Sequence, residues 1–120
     1  MKVCVTSTGP SLDSRVDLRF GRAPYFIVFD VEARSYEVIE NKQQLDLPQG
    51  AGVQSAAIVA KSGAEAVITG NCGPKAFRLL DEVNIAVYVG LDNMTVVEAI
   101  GQFSAGKLQP ITAANVEGHW

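Results

Sequence analysis

The sequence is poor in metal ligands. Its 120 residues contain two cysteines, Cys4 and Cys72, and one histidine, His119. So few ligands, so far apart, exclude a disulfide framework and a conventional zinc site. Long apolar runs are also missing, since none approaches the roughly 20 residues that a membrane helix needs. A strong excess of one charge is absent as well. With a net charge of −3, the chain lacks the broad basic face of a general nucleic-acid binder, so any anion site has to be local. There is no internal repeat, low-complexity tract or interdomain linker. The opening Met1-Lys2-Val3-Cys4-Val5-Thr6 lacks the apolar core and cleavage site of a signal peptide, and a cytoplasmic chain with reduced thiols is expected.

What is present is a well-patterned core. Hydrophobic residues at 48% against charged residues at 19% are too apolar for disorder and suit one globular domain. We expect that domain over 1–106, with 107–120 as a C-terminal tail. Lys2 to Ser7 reads as a strand whose continuous apolarity places it centrally, with Cys4 as a small buried hydrophobe. Pro24 to Val31 and Tyr36 to Ile39 read as a hairpin, the second strand looser and suited to an edge. A helix of small residues follows from about Val53 to Lys61. Ala66 to Thr69 is a buried strand, and an amphipathic helix then starts at Pro74, which suits the first helical position. Ile85 to Val89 is a further strand. Thr95 and Glu98 form a capping box for the last helix, which Gly106 stops.

Right-handed crossovers make the two later strands parallel to the first. The expected fold is therefore α/β: a ribonuclease-H-like five-stranded mixed sheet, order 3-2-1-4-5, flanked by three helices. Ligands of such open sheets favour the carboxyl ends of the parallel strands. That rim carries Ser7-Thr8-Gly9, Gly70-Asn71-Cys72-Gly73 and Gly90-Leu91-Asp92.

The connection from Thr8 to Arg22 begins at the same rim. Arg15, Arg19 and Arg22 fall within it and flank Phe20 and Gly21. They form either an anion-receiving surface or a solvated network with Asp13 and Asp17. The turn at Asn71, Cys72 and Gly73 lets a ligand approach the backbone beside a helix start, where amides and the helix dipole favour an anion. It is not a P-loop, because the lysine and serine or threonine ending is missing. Cys72 is either an incidental small residue or a soft metal ligand whose thiol pKa the dipole lowers. His119, beside Trp120, is either a frayed end or a distant cluster contact. Asn41 and the loop through Gln49 are in a position to close over the rim.

Taken together, Phe20-Gly21-Arg22-Ala23-Pro24-Tyr25-Phe26, Glu40-Asn41, Gly50-Ala51-Gly52-Val53-Gln54 and Gly73-Pro74-Lys75-Ala76-Phe77 resemble the NifX-type dinitrogenase iron–molybdenum cofactor biosynthesis family. Ala99-Ile100, Phe103 and Gly106-Lys107-Leu108 continue the pattern. The resemblance implies a small cytoplasmic accessory protein, not an enzyme, that binds, stores or carries a metal–sulfur cluster. The orange-protein branch, to which this sequence is similar, implies a molybdenum-containing cluster of molybdenum–copper sulfide or iron–molybdenum type, bound non-covalently. Its partners would be cluster donor or acceptor proteins and ATPases, with no nucleic acid and no membrane.

Some family members carry histidines before the first helix, whereas Leu45-Asp46-Leu47-Pro48-Gln49 has none, so a histidine-ligated cofactor is not expected. Two cysteines and one histidine cannot cage a conventional iron–sulfur cluster either. A preassembled anionic thiometallate needs arginine donors, helix-start amides and an apolar wall instead. Arg15, Arg19, Phe20, Gly21, Arg22, Asn71, Cys72 and Gly73 are the candidate cofactor-binding residues, with Cys72 as an optional metal ligand. Two other functions compete. A metal-dependent nuclease needs converging carboxylates, and Val3, Cys4 and Val5 offer none. An interaction adaptor for a nitrogenase-like or ATPase complex would need no cluster of its own.

Overall fold

The structure is a computed structural model that describes residues 1–41, 51–90 and 93–114. The expected loop through Gln49, Asp92 and His119 lie outside the described residues. Five strands form one sheet, in the order β3-β2-β1-β4-β5. They are β1 (Lys2–Ser7), β2 (Tyr25–Asp30), β3 (Ser35–Glu40), β4 (Ala66–Ile68) and β5 (Ala86–Tyr88). Among the described residues there are three helices: α1 (Ala51–Lys61), α2 (Pro74–Glu82) and α3 (Val96–Ser104). β1 runs antiparallel to β2 and parallel to β4, while β2–β3 is antiparallel and β4–β5 parallel. The strand order and mixed sheet expected from the sequence are the ones observed.

The alternation along β1 explains its central place, because both of its faces are covered. Val3 and Val5 join Ile27, Ile68, Val96, Ala99 and Ile100 on the α3 side. Cys4 points the other way, into a cluster with Phe26, Val59, Val67, Cys72, Leu80 and Val87 under α1 and α2. Small side chains on α1, such as the buried Ala56, permit close packing on that side. On α2, Ala76 and Leu80 are buried while Lys75 and Arg78 face solvent, which is the one-sided pattern its sequence shows. β3 is exposed along most of its length, as an edge strand is expected to be.

The capping box at α3 is present. The Thr95 hydroxyl accepts from Glu98 N at 3.2 Å, and Glu98 Oε1 accepts from Thr95 N at 2.9 Å. That second bond lowers the Glu98 carboxyl pKa, with a smaller contribution from the charge of Arg15. Two strands are shorter than their apolar runs suggest. β4 ends at Ile68 and β5 at Tyr88, and the hydroxyl of Thr69, just past β4, accepts from the Thr6 hydroxyl at 2.9 Å. Beyond α3, Ile111 N donates to Val87 O at 2.8 Å, tying the following segment to β5. No helix among the described residues is long and apolar enough to cross a membrane.

Candidate functional site

The connection from β1 to β2 is irregular in sequence but firmly anchored in space. It first doubles back as a narrow ribbon, with Thr8 N donating to Arg15 O at 3.0 Å and Ser7 paired with Val16. One edge of the ribbon is stitched to the start of α3. Val16 N donates to Met94 O, while Ser14 O and Leu12 O accept from Val96 N and Val97 N at 2.8 and 2.9 Å. The first amides of α3 are thus satisfied by protein carbonyls, which removes them as anion donors.

Asp17 marks the turn of the connection across the sheet end. Its N–H donates to Thr6 O at 2.8 Å, and its carbonyl accepts from the Thr6 hydroxyl, also at 2.8 Å. Its buried carboxylate accepts from Arg19 N at 2.9 Å, and Arg19 Nε lies 3.8 Å away. The other edge reaches the turn after β4. Asn71 Nδ2 donates to Leu18 O at 2.9 Å, and Phe20 N donates to Asn71 O at 3.2 Å. Farther along, the buried Asn41 side chain donates to Ala23 O at 2.9 Å, and its N–H donates to Pro24 O at 2.8 Å. Ser55 of α1 reaches Gly21 O at 3.5 Å.

Between these anchors lies a cavity of about 680 Å³, lined by Thr8, Arg15, Val16, Asp17, Leu18, Arg19, Asn71 and Asn93. Two guanidiniums face one carboxylate there, so the lining is cationic even though the chain is acidic. Arg15, Arg19 and Asn71, three of the residues singled out from the sequence, come together on it. Phe20, Gly21, Arg22, Cys72 and Gly73 do not line it.

Phe20 is 1% exposed and packs against Phe26 with ring centroids 6.2 Å apart, so it faces the core and not the cavity. Arg22 is half-buried on the far side of Phe20 in sequence. Gly73 is the N-cap of α2 and makes no side-chain cap bond. The Asp17–Arg19 contact, at 3.8 Å with a half-exposed arginine, contributes little to stability.

Cys72 lies at a helix start and in the core at once. A helix start lowers a thiol pKa, but this thiol is fully buried, and burial pushes it up to about 12. The thiol donates to Gly73 O at 3.7 Å. Burial also pushes up the Cys4 thiol.

The linkage sign follows from these directions. An unfolded thiol titrates near its ordinary 9.0, so from there to about 12 the folded chain retains a proton that the unfolded chain has lost. The stabilisation is fully present below pH 9.0 and is lost as pH rises towards about 12. Urea unfolding at about pH 8 and about pH 10.5 should show a fall in stability, and Cys72→Ala should make that fall shallower by up to about 1.4 kcal/mol per pH unit.

Several residues that build the cavity carry no signal in one sequence. Thr6, Thr69 and Ser55 look like ordinary polar residues, and only their burial reveals them as anchors. Asn41 stands within the Glu40-Asn41 pair but is buried beneath the connection, bonded as described above. Gly70 was visible as part of a turn, while its close approach to Leu18 was not.

Fold and rim together define a small α/β protein with a cationic cavity at the end of its sheet. Among its described residues no group of three or more histidine, cysteine, aspartate or glutamate side chains is placed to hold a metal ion. Residues 1–106 match the family described as dinitrogenase iron–molybdenum cofactor, and the chain belongs to that family. The apo form of the orange protein from Desulfovibrio gigas superposes with a TM-score of 0.93 at 39% identity, covering 96% of each chain. A Thermotoga protein with a provisional NifB designation superposes with a TM-score of 0.83 at 37% identity, covering 98% of each chain. An uncharacterised protein of Methanocaldococcus jannaschii is 32% identical over 103 residues, 83% of this chain and 86% of that one. These relationships place the chain among small cofactor-binding or carrier proteins related to iron–molybdenum cofactor formation and to the orange protein.

Proposed function

We propose that this protein binds and carries a preassembled, anionic molybdenum-containing metal–sulfur cluster, without catalysing a reaction of its own. The cluster is of the molybdenum–copper sulfide or iron–molybdenum type and is held non-covalently in the rim cavity. The observation that carries this reading is the convergence of Arg15, Arg19 and Asn71 on one cavity of about 680 Å³. Volumes of roughly 300–1,000 Å³ are usual for small-molecule sites.

The donor set among the described residues supports outer-sphere over inner-sphere binding. A ligated cluster needs thiolates or imidazoles in reach, but both cysteines are buried and their thiols are held neutral. An intact anionic cluster needs guanidinium and amide N–H groups and a partly apolar wall, which this lining provides. Arg15 and Arg19 supply charge, while Asn71 and Asn93 supply hydrogen bonds. Phe20, Gly21, Cys72 and Gly73 support the rim from within, and Arg22 follows Gly21 on the connection from β1 to β2. Cargo held this way leaves without breaking a metal–protein bond, which suits exchange with cofactor-assembly proteins in the cytoplasm.

The test is reconstitution. Apo-protein mixed without oxygen with tetrathiomolybdate, with and without copper(I), should retain molybdenum and visible absorbance through gel filtration. Elution of all the colour in the small-molecule volume would reject the proposal.

A further inference from the structure

Leu18 is 44% exposed, yet its backbone is tightly held. Its carbonyl accepts from Asn71 Nδ2 at 2.9 Å, and the amides on either side of it, Asp17 N and Arg19 N, are both bonded. Gly70 approaches so closely that a Cβ there would sit 2.5 Å from Leu18 Cα and 2.8 Å from its carbonyl oxygen. Any side chain at position 70 would therefore displace the Leu18 backbone.

A single exposed leucine is ordinary on a protein surface, where more than half of the area is apolar. This one is fixed in place between Asp17 and Arg19 and lines the cavity together with Val16. Positive charge and aliphatic surface are thus presented side by side. That combination discriminates between anions. An oxygen-capped anion concentrates its charge on small atoms, keeps its water and gains nothing from a methyl group. A sulfide-capped anion spreads the same charge over larger, polarisable atoms. Contact with Leu18 then removes apolar surface from water and adds dispersion.

We propose that Leu18 is the specificity-determining residue of this cavity, selecting sulfide-capped over oxygen-capped anions. The proposal rests on the cavity being the cluster site.

The experiment measures dissociation constants of the full chain for tetrathiomolybdate and, separately, for molybdate. It uses the parent, Leu18→Ser, Leu18→Met and the Arg15→Gln/Arg19→Gln double variant. Leu18→Ser should weaken tetrathiomolybdate roughly five- to tenfold and leave molybdate within about twofold, while Leu18→Met should stay close to the parent. Unchanged tetrathiomolybdate affinity in Leu18→Ser overturns the proposal, and so does a parallel loss of both anions. If the arginine variant loses tetrathiomolybdate while Leu18→Ser does not, only the selectivity role falls. If the arginine variant keeps full affinity, the cavity is not the site and both readings fall.

Discussion

Arg15→Gln/Arg19→Gln should lose about 100-fold or more in cluster affinity while unfolding at nearly the parent's urea midpoint. Each guanidinium lost removes a charge-assisted contact to the anion of about 1.5–3 kcal/mol. Both arginines are exposed, and the contact of Arg19 with Asp17 is long, so folding loses little. Equilibrium dialysis with tetrathiomolybdate measures the affinity, and a denaturation curve measures the stability. The parent should also bind more weakly as salt rises, with the double variant showing a flatter dependence. Full affinity in the double variant would remove the assigned site.

Phe20→Ala should cost about 3–5 kcal/mol of stability, a large fraction of the roughly 5–15 kcal/mol typical of a domain. Phe20 is fully buried between the anchors of the connection, and its ring meets Phe26. Its removal leaves a cavity under the segment that holds Arg19. Cluster binding should weaken as a consequence of disorder in that segment, not through a lost contact. Phe20→Leu separates the two roles. It refills most of the volume and should keep cluster affinity within about twofold of the parent, since the ring does not line the cavity. A large affinity loss in Phe20→Leu at near-parent stability would mean that the aromatic ring touches the cargo.

Much of the fold can be read from residues alone, for a local reason. Val3, Cys4 and Val5 are continuous and apolar, and β1 is indeed buried on both faces. Thr95 and Glu98 have capping-box spacing, and both reciprocal bonds form. Pro74 begins α2 because a first helical residue needs no N–H. Each of these depends on neighbours within a few positions, which a sequence displays directly. The handedness of crossovers then restricts the sheet to one order, the one observed.

The site was less legible. Three arginines within eight positions suggested an anion surface, but their spacing does not say which of them face the same space. That depends on Thr6 holding Asp17, Asn71 holding Leu18, and α3 holding Val16, all contacts between residues distant in the chain. Phe20 looked like a wall beside arginines because its neighbours are polar, and only packing against Phe26 turns it inward. Cys72 reads as either an incidental small residue or a soft ligand, and only its burial shows that its thiol pKa is raised.

By itself, then, the sequence determined the sheet order, the helix ends, the family and the rim on which a ligand is expected. These follow from periodicity, chain chirality and local hydrogen bonding. The tertiary structure alone decided that Arg15, Arg19 and Asn71 share one cavity while Phe20 and Cys72 support it from the core. Convergence and desolvation are properties of what surrounds a residue in space, and a one-dimensional pattern does not contain that.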